Sequence, residues 1–238
     1  MTKMIYKCGV IIGRSKIHMR SDKKEAIKEA IKEIKRHVKE LSRYIEENPY
    51  FQYSLEPLDV DLRSPQIVLR MVEASKAANV GPMAAVAGAI ADFGLEILMR
   101  MGANIALVED GGEISAYTSS DPIVIGISTS EPTLSGKIGF LITGSDSPIG
   151  VGTSSSKTGQ TISFGEADSV TVIADNAALA DAAATSICNN VVGLNVEKSI
   201  SKGLERAKSI KGVRGAIIVR DGHVGLIGKL PKIIKVGK

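Results

Sequence analysis

The amino-acid sequence predicts an α+β fold in which a largely antiparallel sheet packs with helices. Short runs rich in β-branched residues follow one another along the chain, and several are separated by turns that contain glycine, as hairpin-joined strands are. A long charged segment near the N-terminus carries apolar residues at spacings of three and four, the period of an amphipathic helix. No internal repeat or linker interrupts the sequence, so we expect one domain, residues 1–238.

We divide this domain into three parts along the chain. Residues 1–80 contain the N-terminal strands and the amphipathic helix, residues 81–192 form a core that carries several motifs, and residues 193–238 contain a C-terminal helix and hairpin. In the first part, strands are expected at 4–12 and 16–20, where apolar residues alternate with others.

The amphipathic helix follows these strands. Ser21 or Asp22 is expected to cap its start, and Asn48-Pro49 ends it. Its apolar stripe consists of Ile27, Ile31, Ile34, Val38, Leu41 and Ile45. The other faces carry Lys and Glu, so we expect a surface helix that lays this stripe on the sheet. The alternative is a basic helix that contacts nucleic acid or a membrane.

Further helices are predicted at about 65–79 and 82–101, after an irregular segment. Gly88 lies inside the second helix, where it weakens a helix by about 1 kcal/mol relative to Ala; its presence indicates close packing of a neighbouring backbone or a ligand. Strands are predicted at 103–108, 114–117, 123–127, 138–143, 150–153 and 168–174, and a helix at 196–207 precedes a hairpin of 214–220 and 223–227. Gly111 and Gly112 form either a plain turn or a turn whose N–H groups face a ligand.

The composition narrows the class of partner. The chain is 44% hydrophobic with a net charge of +4, and only 4% of its residues are aromatic, with no Trp. A protein that binds single-stranded nucleic acid usually has more stacking rings, so we expect no nucleic-acid partner. Neither a signal-peptide pattern nor an uninterrupted apolar stretch of membrane-spanning length is present. We therefore expect a cytoplasmic protein without a membrane partner.

The usual catalytic motifs are missing. His18, His37 and His223 are far apart and lack metal-ligand spacing, so each is expected at the surface. The sequence contains no Gly-x-x-x-x-Gly-Lys-Ser/Thr loop, no Gly-x-Gly-x-x-Gly after a strand and no His-Glu-x-x-His. Zinc-dependent hydrolysis and ordinary nucleotide hydrolysis therefore lose support.

The most informative segment is a strand followed by a small-residue helix. The run Ser169–Ala174 predicts the strand, Asn176 offers a helix cap, and the helix then carries Asp181 and Thr185. Residues four apart on a helix share a face, so this carboxylate and hydroxyl can together bind a hard cation such as Mg²⁺. Asp181 as a cap or a buried hydrogen-bond partner is the alternative. The helix N-terminus is also expected to favour an anion.

Cys188 lies on approximately the same helix face. Its thiol is a candidate catalytic group, although an isolated cysteine is more often a small core residue. The same two interpretations apply to Cys8 in the first strand. With only these two cysteines, the chain has no Cys-x-x-Cys motif and no disulfide framework.

Three blocks of the sequence, in this order, resemble the ApbE-type FAD:protein FMN transferases. The first is Ala87–Asp92 together with the later turn in Ala106–Ile114. The second is Val151–Ser154, and the third, which is the most similar, is Ser169–Thr185. The resemblance implies an ApbE-like fold, with Mg²⁺ and FAD or FMN as cofactors, and a flavin or other nucleotide and an acceptor protein as partners.

The resemblance also implies roles for individual residues. Asp181 and Thr185 would bind Mg²⁺, and the backbone carbonyl of Val86 is the nearest match to a third ligand. The flavin nucleotide would lie against Gly88, Gly111, Gly112, Glu113, Thr153 and Ser154. The chain departs from the family where Ala87, rather than a lysine, precedes Gly88. Of the family's His-x-x-Asp-Pro-x-Thr-Gly loop, the sequence retains only a Thr-Gly pair, Thr158-Gly159.

Other functions remain open from the residues. One is a non-catalytic module that binds a flavin or another nucleotide. A second is a thiol-based enzyme of sulfur assimilation, in homocysteine or cysteine biosynthesis, that uses Cys188; the archaeal and bacterial branch of ApbE-like proteins that this chain resembles has been linked to that process. A third is an interaction protein whose helix at 22–47 is the contact surface. Assembly into a homo-oligomer is compatible with each of these.

Overall fold

The structure is a computed structural model, and it describes residues 4–127, 135–156 and 163–236. In these residues the strands are β1 (Tyr6–Ile12), β2 (Ser15–Ser21), β3 (Ile105–Asp110), β4 (Glu113–Thr118), β5 (Ile123–Gly126), β6 (Ile138–Ile142), β7 (Ile149–Ser154), β8 (Ser169–Ala174), β9 (Val213–Arg220), β10 (His223–Gly228) and β11 (Lys232–Lys235). The helices are α1 (Lys24–Glu47), α2 (Tyr50–Tyr53), α3 (Gln66–Ala78), α4 (Val86–Arg100), α5 (Ala177–Asn190) and α6 (Val196–Ser209), with a 3-10 turn at Pro82–Ala85 before α4.

The strands form two antiparallel sheets that make a layered structure with the helices. The main sheet has the order β1-β2-β3-β4-β7-β8-β9-β10, and the smaller sheet has the order β11-β6-β5. Alternate residues of the central strands join two separate apolar clusters. In β8, for example, Val172 packs with the helices and Ile173 packs with the smaller sheet. The main sheet is therefore covered by helices on one face and by the smaller sheet on the other, which confirms the predicted α+β fold.

Most predicted elements lie within two residues of their observed positions. Two elements are not predicted from the sequence: α2, which forms a single turn in a segment expected to be irregular, and β11, whose four residues begin and end with Lys. Neither segment is long enough to show a clear period in the sequence. These omissions lie far along the chain from the motif-bearing helix.

Helix α1 packs mainly against α4 rather than against the sheet. Its buried residues are Ala26, Ile27, Ala30, Ile34, His37 and Leu41. The predicted caps of this helix are wrong, because Lys23 occupies the N-cap position without a side-chain cap bond. Asp22 instead accepts hydrogen bonds from the N–H groups of Asn104 and Ile105. It therefore anchors the start of β3.

His37 is fully buried, so its predicted surface position is wrong. Its ring stacks on Phe93 of α4 with 3.6 Å between the ring centroids. Glu33 and Glu40 lie 3.2 and 3.5 Å from its two ring nitrogens. Burial is the largest cause that lowers the pKa of His37, and the charge of Arg36 adds to it. His37 lies three residues after Ile34 and four residues before Leu41, on the buried face of α1. The charged residues next to it in the sequence obscure this position.

The segment Pro82–Arg100 has the length and apolar character of a membrane-spanning helix. However, 67% of its apolar window is buried inside the protein. It packs against α1, α5 and the strands of the main sheet. The core helix of a globular protein shows the same burial, because a helix that is apolar on most sides is normally surrounded by other parts of the protein.

A buried carboxylate on α4 joins α4 to the start of α5. Asp92 Oδ1 accepts the N–H of Ala177 at 2.9 Å and the hydroxyl of Ser115 at 2.7 Å, while Oδ2 accepts the N–H of Ala178 at 2.9 Å. Burial, the largest cause, raises the pKa of Asp92. The first N–H groups of a helix have no partner within the helix, and a negative group there is stabilising. Asp92 thus fixes α5 relative to α4 and β4.

We expect Asp92→Ala to lower the free energy of unfolding by about 2–4 kcal/mol, because it leaves three buried donors without an acceptor. Urea unfolding followed by circular dichroism measures this. Asp59→Ala is the matched control: Asp59 is 97% exposed and pairs only with Lys76, and an exposed pair contributes about 0–1 kcal/mol. Equal effects of the two substitutions would contradict the role given to Asp92.

Candidate functional site

Helix α5 is almost wholly buried, but one polar stripe along it reaches solvent. Asn176 caps the helix, since its side chain accepts the N–H of Leu179 at 2.8 Å. Between the start of α5 and Cys188, the partly exposed residues are Asp181 and Thr185, and Asn189 continues the same stripe four residues later. The structure therefore places Asp181 and Thr185 on one partly exposed face of α5, although burial desolvates the carboxylate of Asp181 itself. Asn189 also belongs to this face, and the helical period that relates Asp181 to Thr185 extends to it.

The carboxylate of Asp181 meets the first turn of α4. Its Oδ2 accepts the N–H of Gly88 at 3.0 Å, and the N–H of Ala87 also donates to the carboxylate. Val86 is the first residue of α4, so the carbonyl proposed as a third ligand belongs to this turn. Asp181 therefore binds the start of α4 as Asp92 binds the start of α5. The hydrogen-bonding alternative for Asp181 is realised, and part of the residue still reaches solvent.

Gly88 is needed because α4 and α5 approach closely at this point. A Cβ atom on Gly88 would lie under 3.0 Å from the carbonyl and the next amide nitrogen of α5 at Ala177 and Ala178. Of the two explanations offered by the sequence, a neighbouring backbone is therefore the one that the structure provides. The N–H of Gly88 is also occupied, since it donates to Asp181.

We expect Gly88→Ala to lower the free energy of unfolding by about 3 kcal/mol, because the methyl group overpacks a backbone contact that can relax only if two helices separate. Differential scanning calorimetry measures the change. Gly126→Ala serves as the control, since no atom lies within 4 Å of the added Cβ and its φ is not positive. A Gly88→Ala protein as stable as the Gly126→Ala protein would show that the helices are not tightly apposed.

Two further carboxylates lie at the end of the hairpin formed by β3 and β4. Asp110 and Glu113 are cross-strand partners, and both are buried on the helix side of the main sheet. Between them, Gly111 and Gly112 have φ values of 66° and 115° and are exposed. Only glycine adopts such values readily, so this tight turn needs glycine at both positions.

The three carboxylates share one electrostatic environment. Burial, the largest cause, raises the pKa of Glu113 to about 7, and the charges of Asp110 and Glu109 add to it. Burial and then the charge of Glu113 raise the pKa of Asp181 well above its usual range. Burial also raises the pKa of Asp110. Like charges that cannot be solvated disfavour ionisation, so this cluster favours the approach of a cation.

The donor set suits a hard cation that brings ligands of its own. Oδ2 of Asp110 is buried and makes no hydrogen bond to any residue that the structure describes. Within the same residues, no three His, Cys, Asp or Glu side chains form a group able to hold a metal ion by themselves. Mg²⁺ is commonly held by one or two carboxylates and completes its shell with water and ligand phosphates. Asp181 and Thr185 fit that kind of site.

The end of β7 contributes backbone rather than side chains to this site. The N–H of Thr153 donates to the carboxylate of Glu113. The hydroxyl of Thr153 lies on the opposite face of the sheet, 3.4 Å from Oγ1 of Thr171. Ser154 is on the helix side, but its side chain is buried against Cys188.

Cys188 is buried in the apolar cluster between the helices and the main sheet. Burial, the largest cause, raises the pKa of its thiol. A reactive cysteine is normally accessible and has a lowered pKa, so these surroundings favour the interpretation of Cys188 as a core residue. Cys8 is half-buried in β1.

The N-terminus of α5 does not offer the predicted anion site. The N–H groups of Ala177 and Ala178 bind Asp92, and the N–H of Leu179 binds Asn176. The protein's own side chains therefore occupy the donors that an anion would use. Thr158-Gly159, the echo of the family loop, lies outside the described residues.

The chain's sequence matches one protein family over most of its length. The family model described as AbpE bacteria matches residues 10–225. The chain belongs to this family. The UPF0280 protein of Methanocaldococcus jannaschii is 40% identical to this AbpE-family chain over 237 residues, which covers 99% of the chain and 96% of the relative. The UPF0280 protein of Methanopyrus kandleri is 38% identical over 235 residues and is covered to 94%.

Solved structures with the same fold as this AbpE-family chain carry the ApbE name. The flavin transferase ApbE from Vibrio cholerae has a TM-score of 0.62 and 13% identity, with 94% of this chain and 96% of that chain covered. The ApbE protein from Thermotoga maritima has a TM-score of 0.60 and 14% identity, with 93% and 96% covered. At such identities the similarity is one of fold, and it confirms the ApbE-like architecture.

Proposed function

We propose that this protein binds a flavin nucleotide together with Mg²⁺ at the open stripe of α5, and that it acts as an FMN transferase. The observation that carries the proposal is the polar stripe of Asp181 and Thr185 on an otherwise buried helix, facing the acidic hairpin end at Glu113. Asp181 and Thr185 are partly exposed, whereas the three residues between them are buried. The ApbE names of the fold's solved members support a flavin as the ligand.

In this proposal the residues of the chain have distinct tasks. Asp181 and Thr185 would hold Mg²⁺, with the carbonyl of Val86, and the bound ion would neutralise the phosphates of the nucleotide and the negative charge that develops on the departing AMP. The exposed turn at Gly111-Gly112 leaves backbone groups free to approach the ligand without a side chain in between. Glu113 lies beside them and is anchored by the N–H of Thr153.

An FMN transfer forms one bond and breaks one. The hydroxyl oxygen of the acceptor bonds to the flavin-side phosphorus of FAD, and the bond from that phosphorus to the bridging oxygen breaks. AMP leaves, and the hydroxyl proton passes to a base. No oxidant or reductant is needed.

The direct test is to incubate the protein with FAD, Mg²⁺ and a threonine-containing acceptor peptide and to weigh the products by mass spectrometry. We expect the peptide to gain the mass of an FMN group, and we expect EDTA to prevent it. Calorimetric titration with FAD and Mg²⁺ in parallel measures binding. If the titration gives saturable heat but the peptide gains no mass, the result favours a non-catalytic flavin-binding module. Ala87 supports that alternative, because it stands where the ApbE family has a lysine. Absence of both would refute flavin binding.

A further inference from the structure

The last strand of the main sheet, β10, has a free edge. It pairs with β9 from His223↔Arg220 to Gly228↔Gly215, and it ends the strand order of the sheet. Within the described residues, no strand pairs with its other side. In an antiparallel pair, alternate residues direct their N–H and C=O groups away from the partner strand. β10 therefore offers a row of backbone donors and acceptors to another strand.

This edge lacks the features that usually prevent pairing between molecules. Proteins protect free edges with charged side chains, prolines or bulges, and residues 223–228, His-Val-Gly-Leu-Ile-Gly, contain no Lys, Arg, Asp, Glu or Pro. Val224 and Leu226 are 47% and 50% exposed, and Ile233 of the neighbouring β11 is 40% exposed. Beneath them is an apolar cavity of about 140 Å³, which all three residues help to line. Within residues 4–127, 135–156 and 163–236, Val224, Leu226 and Ile233 keep this exposure.

We propose that β10 pairs antiparallel with β10 of a second copy of this chain, across a two-fold axis at Gly225. The main sheets of the two copies then form one continuous sheet. A two-fold axis perpendicular to a sheet keeps equivalent side chains on the same face. The cavities of the two copies therefore lie side by side on one face of the joined sheet.

The sequence of the edge selects this register. In a two-fold antiparallel pair, one residue must face its own copy, so the axis passes through a residue pair. With Gly225 at the axis, Val224 of one copy faces Leu226 of the other. Moving the axis to Leu226 leaves one apolar pair, Leu226 with Leu226 of the other copy, and places Val224 opposite Gly228. Apolar cross-strand pairs contribute roughly 0.2–1 kcal/mol each, and the Gly225 register forms two of them.

The charges that flank the strand agree with the same register. Asp221 lies just before β10 and Lys229 just after it, so antiparallel pairing about Gly225 brings the Asp221 end of one copy close to the Lys229 end of the other, once on each side of the axis. The side chain of Asp221 is 52% exposed, and Lys229 is exposed. Opposite charges across strands are favourable. The edge thus complements itself in backbone groups, apolar residues and charge, which favours a second copy over an unrelated segment.

The first test is the oligomeric state by sedimentation. We expect the wild-type protein to be a dimer at about 100 μM and Leu226→Lys to be a monomer, because two lysines would face the apolar surface of the other copy. Val124→Lys is the matched control, since Val124 is a strand residue of β5 with 44% exposure; it should remain a dimer. Circular dichroism of each variant checks folding. A monomeric wild type would leave the edge to an extended segment of another protein and would overturn the proposal, as would a folded Leu226→Lys dimer.

The second test fixes the register. In a Cys8→Ser background, we expect Val224→Cys with Leu226→Cys to give a disulfide-linked dimer under mild oxidation. Cross-strand partners have Cβ atoms about 4.5–5.5 Å apart, close to what a disulfide spans. Neither single substitution should link the copies, because no cysteine would face another. A covalent dimer from Leu226→Cys alone would place the axis at Leu226 and refute the register proposed.

Discussion

Replacing Asp181 by Asn is expected to abolish Mg²⁺-dependent binding of FAD at the α5 site. The amide has the shape of the carboxylate and keeps an oxygen that can accept the N–H of Gly88, so the start of α4 stays bound. The negative charge that would hold the cation is lost. We expect FAD affinity in the presence of Mg²⁺ to fall by about 100-fold or more, since even residues that only support a metal ligand cost 10–100-fold when changed.

Calorimetric titration with FAD, with Mg²⁺ and with EDTA, measures this effect. The control is Asp175→Asn, which removes a carboxylate just before α5 that pairs with Arg214 at the surface and lies outside the polar stripe. We expect its affinity to match that of the wild type. A folded Asp181→Asn protein that binds FAD and Mg²⁺ normally would show that Asp181 serves only the contact between α4 and α5.

Replacing Glu113 by Gln is expected to stabilise the metal-free protein above neutral pH. The folded state raises the pKa of Glu113 from 4.5 to about 7, so folding favours the uncharged form. Between these two values the unfolded chain is ionised while the folded protein is not, and stability therefore falls as the pH rises. Above pH 7 the loss is complete, and the difference in pKa corresponds to about 3 kcal/mol. Gln carries no charge and avoids this loss.

Thermal unfolding in EDTA from pH 4 to pH 9 measures the difference between the two proteins. The advantage of Glu113→Gln should be absent near pH 4, grow up to pH 7 and then stay constant, reaching roughly 6–10 °C in Tm for a chain of this size. Glu46→Gln, which changes an exposed residue of α1, should show no such dependence. Mg²⁺ should raise the Tm of the wild type more than that of Glu113→Gln, because the wild type keeps the negative charge of Glu113 beside Asp181 and therefore binds the cation more tightly. A pH-independent difference would contradict the buried charge.

The reciprocal contact of α4 and α5 links stability to the proposed function. Asp92 binds the start of α5 and Asp181 binds the start of α4, while Gly88 allows the two helices to touch. A displacement of either helix would therefore move Asp181 relative to the acidic hairpin end. This arrangement explains why a carboxylate can be both a structural partner and a candidate ligand.

Several features of the site follow from local sequence alone. The helix period sets the shared face of Asp181 and Thr185, and side-chain hydrogen bonding makes Asn176 a cap. The φ values that glycine permits allow the turn at Gly111-Gly112. Each of these is fixed by residues within a few positions of one another. The strand pattern of the main sheet is local in the same sense, because alternation along one strand already indicates which residues face a core.

Tertiary structure decided what those residues meet. Three features of the site and core depend on contacts between elements that are distant in the chain. Asp110 lies with Glu113 and Asp181, Asp92 occupies the helix end that was expected to bind an anion, and His37 is buried against Phe93. Periodicity shows that a side chain faces inward, but desolvation and charge depend on which helix or strand covers it. The sequence by itself therefore determined the elements and the shared face of Asp181 and Thr185 on α5. The packing of α4 and α5 with the main sheet determined how exposed that face is and raised the pKa values of Asp181 and Glu113, because both depend on which elements cover a side chain.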